Sequence, residues 1–568
     1  MMRNRWRIYF ILVLVRLLVA STCRSTIHPD EHFQNPEVGA RLVFDYSQSG
    51  GHPRETWEWQ GEEPCRSVAP LWISSAAAFS LVKAFGGNKT LFYAERAVML
   101  LLSFAIDICV YSISRSPLAL LLLASSPLTL TFLVRPFSSS LETVALALSL
   151  YFASRVISYS RSYLIPLGIV LAFGVWTRIT FVAFAFPLVL AVIFHLFRES
   201  RTRSVSLSTL LQRGSPAVFS FSFTAYCLAI LDTLHFRPSL DLSDIILHPS
   251  LLVLTPLNLL KYNLSSDNLA QHGIHPRYLH VLVNLPMLFG VGLALILGAV
   301  RREWNNLRNK REEREDKDRK EVFWDRALLA SFVVPVALLS IQPHQEPRFL
   351  VPLIVPLVLL APRSSFLNSP RPSRKKRVFW SLWILHSLLF TIFFGCLHQG
   401  GLVPTLLRLN RELRDIDSKV STAKETKVEL VFWKTFMPPR HFVLPLDSVG
   451  KEQDDLRRRT PRTISITDLG GASYAELHSS LVSTLTTTVP VVPSSSNSKT
   501  LLISPSYLFE PAILAVMDDS RLCFERLFDG ETVGVVHLDM DRLGEMVGGF
   551  RRGGWNDLGI GVWEVAEC

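Results

Sequence analysis

Eleven apolar blocks run through the first 400 residues of this chain, many of them long enough to cross a hydrocarbon core, which takes ~20 residues of helix. They lie near 8–20, 68–86, 91–114, 117–134, 141–157, 164–197, 216–234, 279–299, 327–342, 349–362 and 378–398. Inside a bilayer every backbone N–H and C=O must find an internal partner, so such blocks become helices. The expected class is therefore an all-α polytopic membrane protein with about 11 spans. The mean hydropathy of +0.28 agrees. A net charge of +11 raises the question of nucleic acid. The basic residues, however, concentrate in short loops between apolar blocks, which is the pattern of topology determinants and excludes a nucleic-acid partner.

Those loops set the orientation by the positive-inside rule. Loop 198–215 carries four basic residues against one acid, and Arg301–Lys320 carries nine against six. Loop 363–377 has six basic residues and no acid. All three are expected in the cytoplasm with the N-terminus. Loop 23–67, with eight acids against four arginines, faces the other side. Eleven crossings place the C-terminal part there too. The basic stretch Met1–Arg7 before the first block is compatible with a cleaved signal peptide, with Ala20-Ser21-Thr22 as a cleavage region. An uncleaved anchor is preferred, because Arg16 interrupts the run and many further spans follow.

The expected division is a multi-span domain over 1–400, including loop 23–67, followed by a lumenal domain over 401–568. Beyond Gly400 the runs alternate, as in Lys427–Trp433 and Thr500–Ser504, which predicts a small α/β domain. The tract Thr484–Ser498 reads as a flexible loop. Seven cysteines are too few for a disulfide scaffold, though Cys23, Cys65, Cys523 and Cys568 fall in segments where oxidation is feasible. Of two sequons, Asn263 lies in an expected lumenal loop, whereas Asn88 falls in a connection expected to face the cytoplasm.

Chemistry concentrates in two places. His28-Pro-Asp-Glu-His-Phe-Gln-Asn-Pro-Glu37 puts adjacent carboxylates, Asp30 and Glu31, just past the first span. Either acid can serve the first turn of a helix starting there, since acids favour that position. Either can also act as a general base toward a hydroxyl. A metal reading through His28, Asp30 and His32 lacks a second motif to complete it, and no metal is expected. The second place is His344-Gln-Glu-Pro-Arg-Phe349, between two apolar blocks. A His, a Glu and an Arg there are costly unless paired or used. Arg348 suits a lipid-linked phosphate, which it can grip bidentately, and an ion pair of Arg348 with Glu346 or Asp30 is the structural alternative. Trp57-Glu-Trp59 reads as an interfacial belt or a sugar-stacking wall. The segment 258–280, with His275 and Arg277, reads as an acceptor wall or a polar closing loop.

Three motifs in order, His28–Glu31, Arg135-Pro-Phe-Ser-Ser-Ser-Leu-Glu142 and His344–Phe349, make the chain to about Phe349 resemble the glycosyltransferase family 22 mannosyltransferases. These are endoplasmic-reticulum membrane enzymes that use dolichyl-phosphate mannose. Asn258–Asn263, Cys65-Arg-Ser67 and Met437-Pro-Pro-Arg-His441 look like the subtype that adds the fourth, α-1,2-linked mannose to the third mannose of the GPI precursor. Ser138-Ser-Ser140 departs from the family, where an Asn is common. The resemblance implies a GT-C architecture and a lumenal active site. It implies a dolichyl-phosphate mannose donor, a GPI-precursor glycolipid acceptor and a surrounding of membrane lipid. By that analogy Asp30 is the base, Glu31 orients the acceptor or Asp30, and His28 lies alongside. His344, Glu346 and Arg348 serve the phosphate side, His275 and Arg277 the acceptor, and neither metal nor cofactor is required. The alternatives are a third-mannose GPI enzyme, an N-glycan assembly mannosyltransferase, or a lipid transporter or scramblase. Transporters place their ionisable groups within spans, whereas the distinctive acids here lie in loops.

Overall fold

The computed structural model describes residues 2–44, 46, 52–198, 207–265, 267–268, 273–308, 316–369, 373–419, 426–446, 462–488, 497–509, 522–528 and 535–568. Residues 489–496 of the expected Ser/Thr/Pro loop lie outside them, as does His272. The chain divides into two compact units. The first comprises Met1–Ala20, Thr56–Ile73 and Ala97–Leu389; the second comprises Ser21–Glu55, Ser74–Arg96 and Phe390–Cys568.

The first unit is a helical bundle with exposed apolar side chains on its outer face and a few buried, paired polar groups among an apolar core. On the opening helix, Met2–Thr22, the side chains of Phe10, Leu14 and Leu18 are exposed at helical spacing, as lipid-facing residues would be. Arg16, which interrupts the apolar run, is fully buried instead. It pairs with Asp107 at 3.1 Å and donates to Ser103, while Tyr9 donates to Asp107 at 2.7 Å. A charge within a span persists because it is paired, and removing one partner of such a pair costs about 3–5 kcal/mol.

Those contacts also fix direction. Trp6 meets Tyr111, Tyr9 meets Asp107 and Arg16 meets Ser103, so helix Asn88–Ser114 runs antiparallel to the first. Its start at Asn88 therefore lies at the same end as Thr22. Within the second unit, Asn88 donates to the carbonyls of His441 and Leu444, and His441 bonds Glu37. The connection before Asn88 is thus on the side of loop 23–55, not opposite it. The sequence reading put the connection on the opposite side because length and hydropathy do not show which distant carbonyls Asn88 reaches.

The block 164–197 is two helices, Leu164–Thr177 and Phe181–Arg198, broken at Arg178-Ile-Thr180. Gly174 makes the tight return possible, since a Cβ there would overlap the Phe181 ring. Gly168 likewise lets Leu164–Thr177 approach the Ser220 turn of Leu207–Phe236, the small-residue packing used between membrane helices. Eight helices among the described residues are long and apolar enough to cross, Val68–Phe85 counted among them. Arg161–Thr177 is a shorter apolar helix.

The second unit holds a five-stranded sheet. Its strands are β1 (Thr426–Trp433), β2 (Arg462–Leu469), β3 (Asn497–Pro505), β4 (Leu522–Phe528) and β5 (Ile560–Glu567), in the order β2-β1-β3-β5-β4. β1, β2 and β3 are parallel, and β5 is antiparallel to both of its neighbours. Val431, Trp433, Leu502 and Trp563 bury one face against helix Tyr474–Thr488. That helix starts with a capping box: Ser473 Oγ accepts from the Glu476 N–H, and Glu476 accepts from the Ser473 N–H at 2.6 Å. Disulfides join Cys23 to Cys396 and Cys523 to Cys568. Cys65 is a buried free thiol, its pKa pushed up to about 11 by burial and then by the charge of Glu58.

Candidate functional site

The acid loop belongs to the second unit, and its sequence decides how it folds. Pro29 stands at the N-cap of the one-turn helix Asp30–Phe33, and the Glu31 N–H bonds the His28 carbonyl. Pro36 then opens the helix Pro36–Val43. The turn sends the adjacent carboxylates to different environments. Glu31 is fully buried, accepts from Arg96 at 2.5 Å and reaches back to the Ile27 N–H at 3.2 Å. Asp30 keeps 28% of its side chain exposed. Its carboxylate lies 3.5 Å from His28 Nδ1 and accepts from Gln34 Nε2. Of the two acids, Asp30 faces solvent and Glu31 is spent on structure.

Glu37 is structural too. Its Oε1 accepts from the backbone and Nδ1 of His441 at 3.1 and 2.9 Å, and its Oε2 accepts from the Arg54 N–H at 2.9 Å. Asn88 is buried with its amide committed to two carbonyls, so the sequon there is closed to modification.

In the first unit the hairpin folds on itself. Glu346 bridges His344 Nε2, at 2.7 Å, and Arg348 Nε. The alternative of a local Arg348–Glu346 pair is therefore realised. Burial works against a charged His344, but the hydrogen bond and charge of Glu346 outweigh it and raise its pKa. Segment 273–280 closes over the hairpin: the His275 N–H bonds the Pro343 carbonyl at 2.8 Å, and His275 Nδ1 accepts from the Gln345 N–H. Arg277 contributes its carbonyl to Gln345 and leaves its side chain exposed.

Two further arginines stand in the same unit. Arg178 stacks over the Phe349 ring at 4.6 Å and lies 3.9 Å from the buried Glu142 of the 135–142 motif. Arg66 pairs with Glu58 at 2.7 Å and donates to Ser138 of that motif at 3.1 Å. Ser138 thus meets a cation. Sequence reasoning passed over Arg178, although an arginine in the middle of an apolar run was the available signal. Near Arg66, Trp57 stacks on Tyr262 with ring centroids 4.0 Å apart, and Asn258 bonds the Pro64 carbonyl at 3.0 Å. Segments 57–66 and 258–263 therefore form one surface, with Trp57 partly exposed on it.

Comparison with known proteins points one way. Residues 7–445 match the Alg9-like mannosyltransferase family. The GPI mannosyltransferase 4 of Emericella nidulans is 35% identical over 76% of this chain and 75% of its own. The human GPI alpha-1,2-mannosyltransferase 4 is 32% identical over 78% and 75%, and the GPI mannosyltransferase 4 of Candida albicans 28% over 95% and 96%. A crystal structure of ArnT from Cupriavidus metallidurans bound to undecaprenyl phosphate aligns over 98% of this chain and 97% of that one. Its identity is 11% and its TM-score 0.40, a likeness that carries nothing further.

Proposed function

Because the chain belongs to the Alg9-like mannosyltransferase family, we propose that Asp30 is the base with which it adds the fourth mannose of the GPI precursor from dolichyl-phosphate mannose. The activity is that of a GPI α-1,2-mannosyltransferase acting at a membrane. A β-linked mannosyl phosphate yielding an α-linked product inverts in one displacement. The acceptor hydroxyl must lose a proton as it attacks, and the phosphate leaves as a stable anion without an acid. One exposed carboxylate suffices for that task. The observation that carries the assignment is the split between neighbours, with Asp30 open and Glu31 buried against Arg96.

Arg348, bridged by Glu346 to His344, serves as the phosphate-side group, and such charge-assisted donors favour a leaving phosphate. Arg178 and Arg66 add positive charge in the same unit. The stacked Trp57–Tyr262 pair and the His275–Arg277 segment offer the acceptor an aromatic and polar surface. A lumenal location in the endoplasmic reticulum is supported by the two disulfides, which form in oxidising compartments, and by the basic loops assigned to the opposite side.

The test is lipid analysis in cells lacking this protein and re-expressing wild type or Asp30→Asn. Wild type removes a three-mannose GPI precursor, and Asp30→Asn leaves it to accumulate. Normal processing by Asp30→Asn would end the assignment of the base. A two-mannose precursor in the null cells would move the enzyme to the preceding step.

A further inference from the structure

Behind the exposed acid of the loop lies a buried cluster that the reaction does not use. His32, Glu95 and His441 are each fully buried, and one ligand atom from each lies within 4.8 Å of the others. His32 Nδ1 is 3.9 Å from Glu95 Oε1, and His441 Nε2 is 4.0 Å from Glu95 Oε2. We infer that this cluster is a structural zinc site, with His32 Nδ1, His441 Nε2 and a Glu95 carboxylate oxygen as ligands.

Three observations point to a metal ion rather than to a hydrogen-bonded cluster. The two histidine–Glu95 separations, 3.9 and 4.0 Å, exceed hydrogen-bond length, yet they are only slightly longer than the roughly 3.4 Å between donors set tetrahedrally at about 2.0–2.2 Å from zinc. Next, His441 Nε2 is buried and makes no hydrogen bond, although it is aimed at Glu95. Finally, each histidine has a carboxylate on its other nitrogen. Glu37 sits 2.9 Å from His441 Nδ1 and, as a carboxylate, can only accept there. That bond puts the ring proton on Nδ1 and leaves the Nε2 lone pair free to ligate. Glu31, itself held by Arg96, stands 3.9 Å from His32 Nε2. Carboxylates behind ligating histidines are the usual outer support of a zinc ion. Two imidazoles and one carboxylate favour zinc over calcium or magnesium, which take oxygen ligands.

The ligands come from sequence positions 32, 95 and 441, all within the second unit. An ion among them would tie the one-turn helix carrying Asp30 to helix Asn88–Ser114 and to the segment after β1. Its role would be positional, since Asp30 lies two residues from His32 and is not among the ligands.

The test uses the full-length protein, purified in detergent without chelator from zinc-supplemented cells. Metal analysis should find about one equivalent of zinc per chain. His441→Gln and Glu95→Gln should fall to background, while His28→Gln, altering the histidine outside the cluster, should retain its zinc. Chelator-stripped wild type, titrated with zinc ions alone, should regain a higher melting temperature. Wild type purified with less than ~0.1 equivalent and unmoved by added zinc would overturn the site. So would a folded His441→Gln that keeps a full complement, or a His28→Gln that loses it. If the cluster variants do not fold, the wild-type metal content and zinc titration decide alone.

Discussion

The acid loop 28–37 and the hairpin 344–349 use the same residue types to opposite ends. In the hairpin, His344, Glu346 and Arg348 neutralise one another within five residues, and their pairing is closed locally. In the loop, the buried acids find partners far away in sequence: Glu31 at Arg96, and Glu37 at His441. Asp30 alone keeps an open carboxylate face. A local pair needs little support and can open toward a ligand at modest cost. A buried long-range pair fixes the backbone, and so fixes where its neighbour points. The loop is therefore a scaffold that holds one part-exposed carboxylate, and the hairpin is a locally closed set of charges.

The largest expected effect sets the two loop carboxylates apart. Asp30→Asn should lower mannosyl transfer by about 10²–10⁴-fold, the usual worth of a general base, with abundance and melting temperature unchanged. A parallel loss of folded protein would place Asp30 with the structural acids. Glu31→Gln should do the reverse, because Arg96 would be left buried without its counter-charge. That costs about 3–5 kcal/mol and should show as a lower melting temperature and reduced membrane abundance. A stable but inactive Glu31→Gln protein would transfer the base role to Glu31. Across in the hairpin, Arg348→Lys keeps the charge and loses the planar fork. We expect roughly a tenfold rise in KM for the mannosyl phosphate donor, about 1.4 kcal/mol, with kcat little changed. A fall in kcat with no change in KM would mean that Arg348 acts on the transition state alone.

What the sequence disclosed follows the same division between local and distant. Local patterns were readable: the apolar blocks, the alternation around β1 and β3, the HPDE turn and the Glu346–Arg348 pair. Features set by distant partners were not. Nothing near Asn88 says which side it lies on, because that depends on Asn88 reaching His441 and Leu444. Glu95 reads as one acid in an apolar helix until His32 and His441 are brought to it. The Cys396 partner of Cys23 lies 373 residues away, and among the expected oxidised cysteines Cys65 stays a free thiol. Even so, two signals were available. Arg178 in the middle of an apolar block announced both a break and a polar site, and Arg16 announced a paired charge within the first helix.

The smallest predicted effect is a pH dependence confined to the hairpin. His344 has its pKa raised because Glu346 favours the imidazolium more strongly than burial opposes it. Arg348 on the far side of Glu346, with the His275 ring 5.7 Å away, moderates that preference. A raised value in the folded protein means that the folded state holds its proton more tightly than the unfolded chain does. The contribution is then complete below the ordinary histidine value of ~6.5 and drains away as pH climbs through the raised one. Wild type should therefore exceed His344→Gln in melting temperature at pH 6, and the gap should narrow by pH 8.5. The stability involved is under about 1 kcal/mol, as for a partly solvated pair. A gap that is the same at both pH values would mean that His344 is held by its contacts with Gly273 and Phe349 rather than by its charge.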